Sequence, residues 1–339
     1  MTNNEKTALV TGANSGIGFE TAAQLAGKGY GNIIFVARTI QKSVNTAARL
    51  REQGFKSNYI PLTMDTTEVK SAKEASGKLI EMGRQIDLLI LNAGSAAADL
   101  TRNSNGVDLT FASTLVGHHV LTISLLEKGL LSDEANIVIA GSEAARGDVS
   151  GMALPDFDSI SDAEFGSDIE KTLEAFARGY APDKYHVMKA YSIAKLYVAW
   201  WASAISEKIP KGMRAFAISP GSVPGTNFGR NQSFMFRRVM IPLMGSFIGK
   251  AMGMSSPTSA GALRYISAVE LPGETNGRFY ASPPKKMTGI PEVVNTDLLN
   301  DYAKRDAAWN VIVGLSGGID YFRARSAGSE SANLKRKIA

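Results

Sequence analysis

Tyr191 and Lys195 stand four positions apart in a chain of 339 residues. On an α-helix that spacing puts both side chains on one face, a turn apart. A free phenol, with a pKa of about 10, is a poor base near neutral pH. A neighbouring ammonium favours the phenolate. Carrying the phenol to about 7 takes roughly 4 kcal/mol of differential interaction. Close positive charge in a partly dry cleft is of that order. The chemistry such a pair offers is proton transfer to or from a substrate oxygen. The chain has ten tyrosines, so the pair alone is a weak pattern, and its weight comes from its surroundings.

The segment Thr11-Gly-Ala-Asn-Ser-Gly-Ile-Gly18 supplies the first of them. It follows an apolar run, Thr7 to Thr11, and opens a helical pattern that continues from Phe19 to Lys28. Strand, glycine loop and helix in that order make a dinucleotide-binding turn. Gly12 permits the tight turn, Gly16 lets the backbone approach a pyrophosphate, and Gly18 allows close helix–sheet packing. The helix start, with Asn14, Ser15 and Ile17, presents N–H groups and a positive dipole end to phosphate. Arg38 stands just past a second apolar run, Asn32 to Ala37, with no acid beside it. An acid there would hold a ribose 2′-hydroxyl, whereas an arginine accommodates a 2′-phosphate. This points to NADP(H) rather than NAD(H). An oxidised nicotinamide adds a second positive charge near Tyr191, and Lys195 has the reach to hydrogen-bond the cofactor ribose. Ser142 follows a further strand, Ala135 to Ala140, at the edge of the sheet where ligands bind, and would donate to the substrate oxygen.

The elements that must position these residues alternate in the first half of the chain. Short apolar runs at 7–11, 32–37, 59–62, 87–91 and 135–140 read as strands, with Pro61 arguing for a short or irregular third one. Helical patterns at 19–28, 43–53 and 69–82 separate them. The alternation implies a parallel, doubly wound α/β (Rossmann) sheet, covered on both faces. One domain over residues 5–320 is expected. It carries an insertion at 147–187 with little periodicity, ahead of a helix starting near Met188. A Met-, Phe- and Ile-rich segment at 227–256, interleaved with arginines, reads as a substrate lid, and residues 326–339 as a polar, basic, disordered tail.

Composition narrows the rest. The chain has no cysteine and three histidines, which exclude thiolate chemistry and give no convincing metal set. A formal charge of +5, scattered along the chain, suits anionic ligands and gives no nucleic-acid footprint. The N-terminus has no signal-like apolar region, and no apolar run reads as a membrane span, so a cytoplasmic protein is expected.

Taken together, these residues resemble the short-chain dehydrogenase/reductase family, over residues 5 to about 285. The likeness is carried by the glycine loop, Asn92-Ala-Gly94, Ser142, Tyr191-Ser-Ile-Ala-Lys195 and Pro220-Gly221. It implies that Asp65 contacts the adenine and that Asn92, Ala93 and Gly94 line the cofactor cleft. It also implies that Pro220, Gly221, Val223 and Thr226 meet the nicotinamide carboxamide, and that the protein is a homo-oligomer. The run Phe111-Ala-Ser-Thr-Leu-Val-Gly-His118 resembles the retinol-dehydrogenase and protochlorophyllide-reductase branch, which implies a bulky apolar substrate. Thr114 aligns with a family asparagine that holds a water in the proton relay. The segment after Pro220-Gly221 runs about one residue longer than usual. The expected activity is NADP(H)-dependent hydride transfer between nicotinamide and a carbonyl or alcohol carbon, tilted toward reduction, with Tyr191, Lys195, Ser142 and Thr114 as the catalytic set. The departure at Thr114 motivates a rival, a catalytically weak NADP(H)-binding sensor or scaffold of the same fold. The arginines flanking the apolar segment 234–254 raise peripheral membrane contact, which Pro242 and Gly245 disfavour by breaking a helical face.

Overall fold

The computed structural model describes residues 3–223, 255–320 and 322. The lid segment, apart from its last two residues, and the tail lie outside that set, as does Thr226.

One eight-stranded sheet organises the described chain, in the order β3-β2-β1-β4-β5-β6-β7-β8. The strands are β1 (Thr7–Thr11), β2 (Asn32–Ala37), β3 (Asn58–Thr63), β4 (Ile86–Leu91), β5 (Leu131–Ala140), β6 (Arg214–Ile218), β7 (Phe279–Ala281) and β8 (Glu292–Val293). All neighbours pair in parallel except β7 with β8. The continuous apolar runs are buried on both faces, as a parallel sheet demands. Alternate residues of β1 go to opposite cores. Leu9 joins Ile34 and Leu89 under one helical layer, while Ala8 and Val10 join Ile33 and Phe35 under the other.

The first layer holds α3 (Val69–Met82), α5 (Val116–Glu127), α8 (Val187–Ser206) and α10 (Tyr302–Leu315); the second holds α1 (Gly16–Gly27), α2 (Ile40–Glu52) and α9 (Thr258–Ile266). Strand order reverses between β1 and β4, since β2 and β3 extend one way and β4 onward the other. That reversal opens a crevice at the carboxyl ends of β1 and β4, the place where open α/β sheets bind ligands. Pro61 sits in β3, which among the described residues pairs only with β2, and an edge strand tolerates the missing N–H.

The structure corrects the reading of the insertion. Residues 157–177 are not aperiodic loop but two short helices, α6 (Phe157–Glu164) and α7 (Ile169–Ala177). Asp156 and Asp168 cap them by accepting hydrogen bonds from Ser159 N and Lys171 N. Phe157 packs edge-to-face on Phe176 and stands against Trp200 of α8, so the insertion is packed on the helix that bears Tyr191. Helices of eight and nine residues offer little more than two turns of pattern, set among Asp, Glu, Ser and Gly, which is why they escaped the sequence reading. The stretch Leu109–Glu127 is long and apolar enough to cross a membrane by length and composition, yet nearly all of it is buried in the fold. It is also interrupted, since α4 (Leu109–Thr114) and α5 meet at Leu115, whose φ of −126° breaks the helix.

Candidate active site

The glycine loop is built by contacts that no side chain would permit. Gly12 has φ +67° and Gly16 φ +56°, the left-handed region. A Cβ on Gly18 would lie 2.4 Å from Gly12 O and 2.6 Å from Asn92 Nδ2. Asn92, just past β4, donates from Nδ2 to Thr11 O at 2.9 Å. Ala93 N donates to Thr11 Oγ1, also at 2.9 Å. The loop and the Asn92-Ala-Gly94 segment thus form one rigid wall of the crevice. Gly94 is closely backed, with Thr114 Oγ1 3.3 Å from where a Cβ would stand.

At the carboxyl end of β2, Arg38 and Lys42 are exposed. Sequence reasoning missed Arg49 on α2. It lies over the Phe19 ring at 3.8 Å from the centroid and donates to Asn14 O at 3.4 Å. Its signal was its place on the α2 face turned toward the loop, three turns beyond Arg38. Asp65 lies past β3, and its Oδ1 accepts from Thr67 N and Thr67 Oγ1, so the carboxylate builds the turn that lines this end.

The structure brings Ser142, Tyr191 and Lys195 together at the carboxyl end of β5. Ser142 caps the 3₁₀ turn Glu143–Arg146, its Oγ accepting from Ala144 N at 3.3 Å, and it is hydrogen-bonded to Tyr191. Lys195 is 5% exposed and donates from Nζ to Ala140 O at 2.6 Å. Its Nζ stands 5.7 Å from the Tyr191 ring centroid. The ionisation balance differs from the sequence expectation. Tyr191 is pushed up to about 12, chiefly by loss of water; the Ser142 bond opposes this and the Glu143 carboxylate adds to it. Burial pulls Lys195 down to about 7. The lysine alone therefore does not draw the phenol downward, because the same dry surroundings that disfavour a phenolate also disfavour the ammonium.

Thr114 is 1% exposed, and its Oγ1 donates to Thr110 O at 2.8 Å, back into its own helix. Ser113 Oγ accepts from Ser95 N at 3.2 Å. The carbonyl of Thr114 is used by His118, which is fully buried. His118 Nδ1 lies 2.8 Å from Thr114 O and its Nε2 2.9 Å from Thr11 Oγ1. A carbonyl only accepts, so Nδ1 carries the proton and Nε2 accepts from the threonine hydroxyl. Burial holds this imidazole neutral, down at about 4. His118 thereby ties β1 to the helix break at Leu115.

Past β6, Ser219-Pro220-Gly221 turns with Gly221 at φ +78°. Ser222 N donates to Met287 O, and Ser256 N to Ser222 O at 2.7 Å, so the described residues on either side of 224–254 meet. Val223 lies next to that junction, and a Cβ on Gly261 would come 3.1 Å from its Cγ2. Among the described residues no cluster of His, Asp and Glu is arranged to hold a metal.

Comparison with known proteins agrees with this geometry. Residues 6–154 match the family model described as short chain dehydrogenase. The chain is 28% identical over 83% of its length to a WW domain-containing oxidoreductase of Drosophila melanogaster, covering 64% of that protein. It is 30% identical over 67% of its length to the human protein named retinol dehydrogenase 13, covering 61% of it. The aligned chain thus spans less than two thirds of the length of these relatives. Among solved structures, one from Mycobacterium paratuberculosis matches with a TM-score of 0.64 at 20% identity, over 92% of this chain and 94% of that one. A short-chain dehydrogenase from Sphingobium yanoikuyae in complex with NADPH matches with a TM-score of 0.54 at 20% identity, over 78% and 84%. The chain belongs to the short-chain dehydrogenase/reductase family, in its retinol-dehydrogenase-like branch.

Proposed function

We propose, from that membership, that the chain is an NADP(H)-dependent oxidoreductase acting on the carbonyl or alcohol carbon of an apolar substrate. The observation that carries the reading is the convergence of Ser142, Tyr191 and Lys195 at one strand end, beside a glycine loop with no room for side chains. The residues fit the cofactor. A Cβ on Gly12 or Gly18 would fill the cradle, the start of α1 carries no side-chain cap and points its first N–H groups along the helix axis, and the adenosine end carries exposed Arg38 and Lys42 with no acid between them. A solved neighbour's complex with NADPH supports the same choice. Bound there, the nicotinamide would supply or take the hydride.

The chain's own residues then do the following. Ser142 Oγ and the Tyr191 hydroxyl share the substrate oxygen, the serine donating to it and the phenol giving or taking the proton. In the reducing direction a phenol held near 12 arrives protonated, as an acid must. Lys195 lies close enough to stabilise the phenolate left behind, and it gains a proton more readily once that anion forms. The wall formed by Thr11, Asn92 and His118 keeps the glycine loop in register with the end of β4 and with α5. The retinol-dehydrogenase-like relatives support an apolar substrate.

The test is Tyr191→Phe, assayed by NADPH oxidation with a panel of ketones and aldehydes and by NADPH fluorescence. Loss of turnover with retained binding is expected. Turnover equal to wild type would reject the assignment. A wild-type chain that binds NADPH but turns over no compound in the panel would instead favour the sensor or scaffold reading, which the committed hydroxyl of Thr114 supports.

A further inference from the structure

Behind Ser142 lies a buried ion pair whose part in the chemistry so far is a contribution of the Glu143 carboxylate to the raised Tyr191 phenol. Glu143 is 1% exposed. Its Oε2 accepts from Ser219 Oγ at 2.6 Å, and its Oε1 accepts from Ser282 Oγ at 2.8 Å and from Ser282 N at 3.2 Å. Arg264 of α9 lies 3.6 Å from Oε1. Arg264 in turn donates to Ser219 O at 3.0 Å, to Ser282 Oγ at 3.2 Å and to Gly289 O at 2.6 Å. Ser219 Oγ also accepts from Gly221 N at 3.1 Å.

Each partner sits at a different carboxyl strand end. Ser142 and Glu143 follow β5, Ser219 to Gly221 follow β6, and Ser282 follows β7. β7 is only three residues long and pairs with β6 through two positions, so backbone bonding alone holds this edge weakly. One carboxylate and one guanidinium join all three ends. Both ions are desolvated, so each is costly without the other, and the satisfied network permits one arrangement of the strand ends. Arg264 also underlies Gly221, where a Cβ would meet its Nη1 at 3.0 Å, which sets the height of the Pro220-Gly221 turn.

We infer that Glu143 and Arg264 are positioning residues that fix the Pro220-Gly221 turn relative to Ser142, and so hold the nicotinamide half of the cofactor site apart from the adenosine half. The inference rests on the dinucleotide-binding reading above. It predicts a selective defect. The adenosine half is built by β1, α1 and β2, none of which contributes a hydrogen-bonding group to this network; α1 meets α9 about a turn away from Arg264, where Gln24 Nε2 donates to Ser259 O.

The experiment is Glu143→Gln in the full chain, with two probes measured by fluorescence and calorimetry: NADPH, and 2′-phospho-ADP-ribose, which lacks the nicotinamide. Loss of one charge-assisted contact set is expected to weaken NADPH binding about ten-fold, and 2′-phospho-ADP-ribose by less than about two-fold. The double variant Glu143→Gln/Arg264→Met leaves no buried charge unpaired and keeps the test open if the single variant unfolds. It is expected to show the same selectivity. Equal losses for both probes, or no loss for either, would overturn the inference, because a merely structural role does not separate the two halves. A wild-type chain that binds neither probe would defeat the dinucleotide reading itself.

Discussion

Replacing Lys195 with methionine is expected to make the cofactor-free protein more stable while destroying its activity. The side chain is 5% exposed, its neighbourhood supplies one carbonyl, Ala140 O, and burial pulls it from 10.5 to about 7. The sign follows from linkage. The folded state holds the proton less tightly than the unfolded chain, so the penalty is fully present below about pH 7 and fades as pH rises toward 10.5. A shift of this size corresponds to about 5 kcal/mol at pH 6 and about 2 kcal/mol at pH 9. Losing the bond to Ala140 O gives back about 1 kcal/mol. The net gain of Lys195→Met is then about 4 kcal/mol at pH 6 and about 1 kcal/mol at pH 9. At roughly 2 cal/mol/K of unfolding entropy per residue, the larger figure raises Tm by about 6 °C for a chain of this size.

The assay is differential scanning calorimetry of both proteins without cofactor at the two pH values, taken as a difference between variant and wild type. Tyr191, pushed up to about 12, stays outside the window, and the histidine contribution that starts to fall away below about pH 6.5 is shared by both proteins and cancels in the difference. A variant that melts below wild type at pH 6, or whose advantage is the same at both pH values, would refute the reasoning. The companion measurement is NADPH oxidation, which should be lost.

Other outcomes follow from the same geometry. Gly18→Ala places a Cβ 2.4 Å from Gly12 O, so the loop must open. A stability loss of about 1–3 kcal/mol by urea unfolding and loss of NADPH fluorescence enhancement are expected, and retained binding would show that the loop yields. Arg38→Glu should cut the preference for NADPH over NADH by about ten-fold or more, read from the two dissociation constants; an unchanged ratio would move 2′-phosphate recognition elsewhere, Arg49 first. Burial holds His118 and His119 both down at about 4. Their stabilising neutrality is present above about pH 6.5 and lost as pH falls toward 4, about 2 kcal/mol for each histidine by pH 5. Imidazole ¹⁵N NMR at pH 5.5 should show two neutral rings of opposite tautomer. His118 carries its proton on Nδ1 toward Thr114 O, and His119 on Nε2 toward Ile319 O, with Trp201 Nε1 donating to Nδ1. Ordinary titration near 6.5 in either ring would contradict the burial argument.

The sequence by itself determined the sheet class and most of the parts of the site. Strands such as Asn32–Ala37 are continuous apolar runs because both faces are covered, and the glycine spacing of 12, 16 and 18 is dictated by φ and by close approach. Such constraints are local, so they are written locally. The tertiary structure alone decided what depends on distant contacts. The helices at 157–164 and 169–177 are held by tertiary packing, Phe157 standing against both Trp200 of α8 and Phe176 of α7. The pKa values of Tyr191 and Lys195 are set by how much water the fold removes, and spacing on a helix is silent about that. The neighbours of Ser142 were invisible for the same reason. Glu143 and Arg264 lie 121 positions apart and meet only because β5, β6 and β7 end side by side.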